Sequence, residues 1–111
     1  MSQQAYVKGL LEPIILKLLQ EHGAMYGYEI TQKVKALTGG DIQITEGALY
    51  PLLHKLETNG MITAELVEIQ NRQRKYYSLT KAGKKETAVA IDDLRRFMQH
   101  LQLIFTSPTT S

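Results

Sequence analysis

Apolar residues recur along the chain with two different periods, and the changes of period divide it into elements. Over residues 6–21, Leu11, Ile14, Ile15, Leu18 and Leu19 give a dense apolar face at helical spacing. Pro13 suits the first turn of that helix, and His22-Gly23 ends it. A second helix is predicted over 27–37, with Ile30, Val34 and Leu37 as its buried stripe, and Thr38-Gly39-Gly40 breaks the chain after it. In 41–44, Ile42 and Ile44 alternate with polar neighbours, the pattern of a single short strand. Residues 45–60, TEGALYPLLHKLETNG, form a third helix with two unlike faces. Leu49, Leu52, Leu53 and Leu56 recur at i, i+3, i+4 and i+7 on one side. Gly47, Tyr50, Pro51, His54, Lys55 and Thr58 occupy the other. Thr45 is a good N-cap and Asn59-Gly60 a good stop. Pro51 breaks the local rule, because a proline in a helix interior costs about 3 kcal/mol. Its position is unremarkable only if the helix begins close to it.

The period then shortens to two. Ile62, Ala64 and Leu66 fall on one face of 61–69, and Tyr77 and Leu79 on one face of 75–79. The polar run QNRQR between them is read as the turn of a β-hairpin. Thr80 caps a long closing helix that reaches about Phe105, and the tail TSPTTS is small and polar. Three helices, a hairpin and a long helix predict an α+β, mainly α fold: a winged helix-turn-helix with an added C-terminal dimerisation helix. The expected division is 1–79 for the DNA-binding unit, 80–106 for the dimerisation helix and 107–111 for a disordered tail.

Composition narrows the chemistry. A chain of 111 residues, 43% of them hydrophobic, is enough for one domain with a modest core. It has no cysteine, which excludes disulfides and thiolate metal sites and fits a reducing, cytoplasmic setting. The opening MSQQAYVKG has no basic patch followed by an apolar run, so no signal peptide is expected. Glu12, Pro13 and Lys17 interrupt the longest apolar stretch, so no membrane span is expected. His22, His54 and His100 fall on separate elements, without metal-ligand spacing, phosphate loop or nucleophile elbow. No catalytic role and no cofactor follow.

The net charge of +2 is mild, but the cations cluster. Arg72, Arg74 and Lys75 crowd the hairpin tip, with no acid between Glu68 and Glu86. A cationic ribbon beside a helix can follow a DNA backbone, where each neutralised phosphate releases condensed counterions. On the third helix, Gly47 is small enough for close approach to a duplex, and Tyr50 and Lys55 suit phosphates and base edges. Tyr50 equally suits shielding the hairpin, Lys55 an idle surface charge, and His54 reads as solvent-facing. On the closing helix, Ile91, Leu94, Met98, Leu101 and Phe105 are spaced 3, 4, 3, 4, an a/d seam that Phe97 widens. The helices and hairpin before it already make a closed unit, so a second chain is the preferred cover. A homodimer would present two recognition helices about a two-fold axis, the arrangement that fits a palindromic site in double-stranded DNA.

The runs LLEPIILKLLQEHGAMYGYEITQKVK, TEGALYPLLHKLETNGMI and RQRKYYSLTKAGKKE resemble the PadR family of bacterial transcriptional regulators over roughly residues 10–86. The combination of YGYEI, Leu49-Tyr50-Pro51 with the following L-x-x-L-E-x-x-G, and RKYYxLT carries the likeness. The resemblance implies a winged helix-turn-helix and a homodimer formed through the C-terminal helix. It also implies repression by blocking a promoter, often with release by a small ligand. Carried over by position, it makes Thr45, Gly47, Tyr50, Pro51 and Lys55 DNA-facing, with Arg72, Arg74 and Lys75 in the wing and Tyr26 near the DNA side. Family members often have Gly and Pro at the wing tip; here Asn71 can take the left-handed turn conformation, and Gln73 is expected to loosen the loop. The closing helix is short, as in the compact subgroup. Some compact members hold flat aromatic effectors between tryptophans, and this chain has no tryptophan. Phe97, Met98 and Leu101 either line a pocket for a small apolar or aromatic effector or simply pack the seam, the better reading. The leading expectation is a homodimeric repressor of transcription, and the alternative is a winged-helix module that binds a ligand or protein without DNA.

Overall fold

The computed structural model describes residues 4–108. The chain runs α1 (Gln4–Val7), a 3-10 turn (Lys8–Leu10), α2 (Leu11–His22), β1 (Met25–Tyr26), α3 (Gly27–Leu37), α4 (Glu46–Thr58), β2 (Ile62–Ile69), β3 (Arg72–Leu79) and α5 (Lys81–Thr106). Among the described residues no helix is long and apolar enough to cross a membrane. Residues 109–111 of the expected tail lie outside the described residues.

The first predicted helix is broken rather than continuous. Pro13 has no N–H to give to the Gly9 carbonyl four residues back, and its ring crowds that carbonyl. The backbone therefore tightens into the 3-10 turn, and α2 restarts at Leu11 with Pro13 in its first turn. Ile15, Leu18 and Leu19 are buried as expected. Gly23, at φ +76°, closes α2 by donating its N–H to the Leu19 carbonyl at 3.0 Å.

The sheet is three-stranded and antiparallel, in the order β1-β3-β2. Its third strand is not the predicted 41–44, which lies outside the sheet. Ile44 is buried and Ile42 half-buried there, so the alternation reflects packing and not a strand ladder. Met25 and Tyr26 supply the strand, opposite Tyr77 and Tyr76. The turn before that stretch is held by Thr38, whose hydroxyl accepts from the Ile42 N–H at 3.0 Å and donates to the Val34 carbonyl at 2.8 Å. Leu37 departs from its predicted place. Ile30 and Val34 are buried, but Leu37 is 67% exposed in the last turn of α3, on the lip of an open groove.

The core is closed by α4. Leu49, Leu53 and Leu56 are fully buried, while Leu52 is only partly so. Thr45 caps the helix, its hydroxyl accepting from the Ala48 N–H at 3.2 Å. Pro51 therefore lies in the second turn, well inside the helix. The bond it forfeits would run to the Gly47 carbonyl. Both residues are exposed, so the forfeited bond lies on the solvent side of the helix. At the other end, Met61 donates to the Leu56 carbonyl at 2.9 Å around Gly60, which sits at φ +77°.

The wing is longer and tighter than predicted. Its turn is only Gln70-Asn71, at φ +51° and +64°, because two left-handed residues match the strand twist in a two-residue hairpin. Arg72, Gln73 and Arg74 belong to β3, opposite Ile69, Glu68 and Val67. Gln73 thus sits in a ladder instead of loosening a loop. The inward face runs out of core along the ribbon: Ile62 is buried, Ala64 half-buried and Leu66 exposed.

α5 is locked to the start of β2. The Thr80 hydroxyl accepts from the Gly83 N–H at 3.0 Å and donates to the Gly60 carbonyl at 2.6 Å, while the Thr80 N–H reaches the Met61 carbonyl at 3.1 Å. Gly83 is packed so closely that a methyl there would stand 1.8 Å from the Met61 oxygen. One turn on, Thr87 is fully buried, its hydroxyl satisfied by the Gly83 carbonyl at 2.7 Å. This first part of α5 packs on α2.

Candidate nucleic-acid interface

Two surfaces meet at one crevice: the outer face of α4 and the cationic strand β3. On α4, Thr45, Gly47, Tyr50, Pro51, His54, Lys55 and Thr58 are all exposed, as the helical period requires when Leu49, Leu53 and Leu56 point inward. Tyr50, 45% exposed, reaches along the surface toward the start of α3. Its hydroxyl lies where a side chain on Gly27 would be, 2.6 Å from an added methyl, so glycine at that position gives the ring its seat.

Side chains along β3 alternate between its two faces. Arg72, Arg74 and Tyr76 lie on one face, and Gln73, Lys75 and Tyr77 on the other. Pairing of β1 with β3 places Tyr26 opposite Tyr76, with the rings edge to face at 5.3 Å and 69°. The Arg74 guanidinium lies 4.4 Å over the Tyr26 ring, which fixes a flexible cation in one place. Tyr26 is held in turn from its backbone, whose N–H donates to the Glu29 carboxylate at 3.1 Å and begins α3. Tyr77 is buried on the opposite face. Burial pushes its phenol up, and the nearby Lys75 ammonium partly offsets the effect. Lys75 rests 5.6 Å over that ring and 3.4 Å from the Glu57 carboxylate of α4.

Between these surfaces lies an open crevice of about 400 Å³, walled by Tyr26, Gly27, Tyr28, Tyr50, Arg74 and Lys75. A floor of tyrosines under two placed cations suits a negatively charged backbone that also offers flat or apolar surface.

The sequence model of the PadR-like family of transcriptional regulators matches residues 15–89. The chain belongs to this PadR-like family. A protein of Lysinibacillus sphaericus whose function is not characterised is 34% identical over 110 residues, covering 92% of this chain and all of its own. Among solved structures, a transcriptional regulator from Clostridium thermocellum superposes with a TM-score of 0.80 at 29% identity, over 92% of this chain and 96% of that one. Bacillus subtilis PadR, solved in complex with operator DNA, superposes with a TM-score of 0.67 at 32% identity, over 74% of this chain and 46% of that one. The winged helix-turn-helix architecture expected from the element order is therefore the architecture of its PadR-like relatives.

Within this PadR-like chain, the structure brings only some of the predicted residues together. Tyr26, Tyr50, Arg74 and Lys75 share the crevice. Thr45, Gly47, Pro51 and Lys55 lie along the exposed face of α4 outside its lining, and Arg72 lies next to the wing turn. The Thr45 oxygen is already engaged as a cap. Gly27, Tyr28, Glu57 and Tyr76 join this surface without a signal in the sequence. The period-two pattern does separate Tyr76 from Tyr77, but it carries no signal that Tyr76 faces Tyr26 or that Glu57 reaches the wing.

The seam residues of α5 are only partly covered. Ile91, Leu94 and Leu101 are half-buried, whereas Phe97 is 53%, Met98 51% and Phe105 81% exposed. Ile104 beside them is also exposed, as is Leu103 on the opposite face of the helix. At its packed end the stripe enters the groove whose lip is Leu37, an apolar space of about 350 Å³ walled by Ile14, Leu18, Val34, Ile91, Leu94 and Met98.

Proposed function

We propose that this PadR-like protein is a DNA-binding transcriptional repressor that acts in the cytoplasm as a homodimer on a palindromic operator. The observation that supports this most is the crevice between α4 and β3, where Arg74 is stacked on Tyr26 and Tyr50 stands opposite. The exposed face of α4, with Thr45, Gly47, Tyr50, Pro51 and Lys55, enters the major groove. The wing, with Arg72, Arg74 and Lys75, follows the adjacent backbone, and Tyr26 supports it. The likeness to Bacillus subtilis PadR, which has been solved with operator DNA, supports DNA binding.

Residues 1–79 form the DNA-binding unit in this reading, and 80–106 the dimerisation helix. A small apolar or aromatic effector acts at the groove walled by Leu94 and Met98, next to the seam, and so couples occupancy to the spacing of the two α4 helices. The engagement of Lys75 by Glu57 favours the second reading, a ligand- or protein-binding module without DNA contacts.

Charge separates the two readings. Arg72→Ala combined with Arg74→Ala is expected to weaken binding to duplexes of any sequence and to shallow the log–log salt dependence by roughly 1–2, since each lost phosphate contact removes about 0.9. Fluorescence anisotropy on a mixed-sequence duplex across a salt series measures both. A double variant that binds like wild type at every salt concentration would remove the wing from the interface.

A further inference from the structure

We infer that Glu57 sets the affinity of the interface by occupying the Lys75 ammonium in the DNA-free protein, so that a backbone phosphate must displace it. The inference rests on the DNA-binding reading above. The pair is remote in sequence and is assembled by the fold, because the last turn of α4 reaches the wing where β3 returns toward the core. Its geometry is that of a contact that can be exchanged. At 3.4 Å it is longer than a tight charge-assisted hydrogen bond, and the side chains are 48% and 35% exposed. A phosphate can therefore reach the ammonium without unfolding anything.

Lys75 also has a second anchor. Its ammonium lies over the ring of Tyr77, which is buried and fixed in the core. Loss of the Glu57 charge therefore leaves the ammonium in place and unscreened. The arginines of the wing differ. Among the described residues neither Arg72 nor Arg74 is ion-paired, and Arg74 faces the opposite side of the ribbon on Tyr26. The wing thus carries two cations open to phosphate and one held in reserve by an acid from α4.

Displacement has a signature in the salt dependence. When a phosphate takes Lys75, one condensed counterion leaves the DNA, so a variant without the ammonium at 75 should have a slope of log affinity against log salt shallower by about 0.9. Removing the Glu57 charge leaves the number of phosphate contacts unchanged, so it should raise the affinity with the slope close to that of wild type.

Glu57→Gln is expected to tighten binding to a mixed-sequence duplex about twofold to fivefold at low salt, the range of an exposed ion pair, with the slope close to that of wild type. In a Lys75→Met background most of that gain should vanish. Glu68→Gln is the control, because Glu68 lies on the wing without an ion pair among the described residues. Melting curves establish that each variant is folded. Equal gains from Glu57→Gln with and without Lys75 would mean that Glu57 merely repels DNA, which overturns the inference and leaves the DNA-binding reading intact. Unchanged or weaker binding by Glu57→Gln would mean that the pair braces the wing, with the same consequence. Absence of salt-dependent duplex binding by the wild type would overturn both.

Discussion

Replacing Gly83 by alanine is expected to destabilise the protein by about 2–3 kcal/mol, the upper part of the usual range for overpacking. In a domain of this size that lowers the melting temperature by roughly 10–20 °C. Helix propensity alone predicts the opposite sign, because alanine is favoured over glycine in a helix by about 0.5–1 kcal/mol. The contact decides the outcome. A methyl at residue 83 would stand 1.8 Å from the Met61 carbonyl oxygen and 2.9 Å from its carbon, and both are backbone atoms that cannot swing aside. Relief requires the start of α5 to lift off β2, which breaks the bonds from Thr80 to the Gly60 and Met61 carbonyls. Gly47→Ala is the matched comparison: nothing lies within 4 Å of a methyl there, so it should hold or raise the melting temperature. Thermal denaturation followed by circular dichroism measures both, and a Gly83→Ala protein that melts at or above wild type would contradict this seating of α5.

The second large effect concerns assembly. Leu94→Asp combined with Leu101→Asp is expected to convert a dimer into monomers. Along α5 the apolar stripe leaves the body of the molecule with Phe97, Met98, Ile104 and Phe105 all more than half exposed. A continuous stripe of that kind on a small protein marks an interaction surface. The spacing of Ile91, Leu94, Met98, Leu101 and Phe105 is that of a helix paired with a copy of itself. Leu94 and Leu101 are only half-buried within one chain, so two carboxylates there should leave the fold standing while they charge the seam. Sedimentation equilibrium should give the 12.6 kDa of one chain for the variant and twice that for wild type. A variant that keeps the dimer mass would remove α5 as the dimerisation element.

What the sequence made legible follows from the range of the forces involved. The ends of α4 and α5 are encoded locally. Thr45 and Thr80 each cap the helix that follows with their own hydroxyl, and Gly60 takes the left-handed conformation that ends α4. The stripe Leu49, Leu53, Leu56 is an i, i+4, i+7 pattern and needs no knowledge of its partners. The two-residue strand β1 is the opposite case. Met25 and Tyr26 are too few to show a period, and they form a strand only because Tyr76 and Tyr77 pass beside them. Residues 41–44 failed for the complementary reason: they alternate like a strand, yet no neighbour offers them a ladder. Leu37 keeps the spacing of a core residue but sits where α3 has outrun the elements that would cover it.

The candidate interface divides in the same way. The cations of the wing and the polar face of α4 stand out in the sequence because exposure follows from period. Their surroundings do not. No acid lies near Lys75 along the chain, yet Glu57 is brought beside it by the packing of α4 against β2. The stacking of Arg74 on Tyr26 joins residues from β3 and β1. Pro51 is clearer for having been located. It is an interior proline whose forfeited bond faces water on the outer side of α4, beside Tyr50, so its cost is reduced and it stands on the face proposed to meet DNA.

The most direct test of DNA recognition by a two-fold dimer is selection of bound duplexes from a random-sequence pool with the unmodified protein. Enrichment of a pseudo-palindrome is expected, with half-sites spaced by about one helical turn, roughly 10 base pairs, or a multiple of it. Enrichment of no sequence, or of a single unrepeated half-site by a protein of monomer mass, would contradict it.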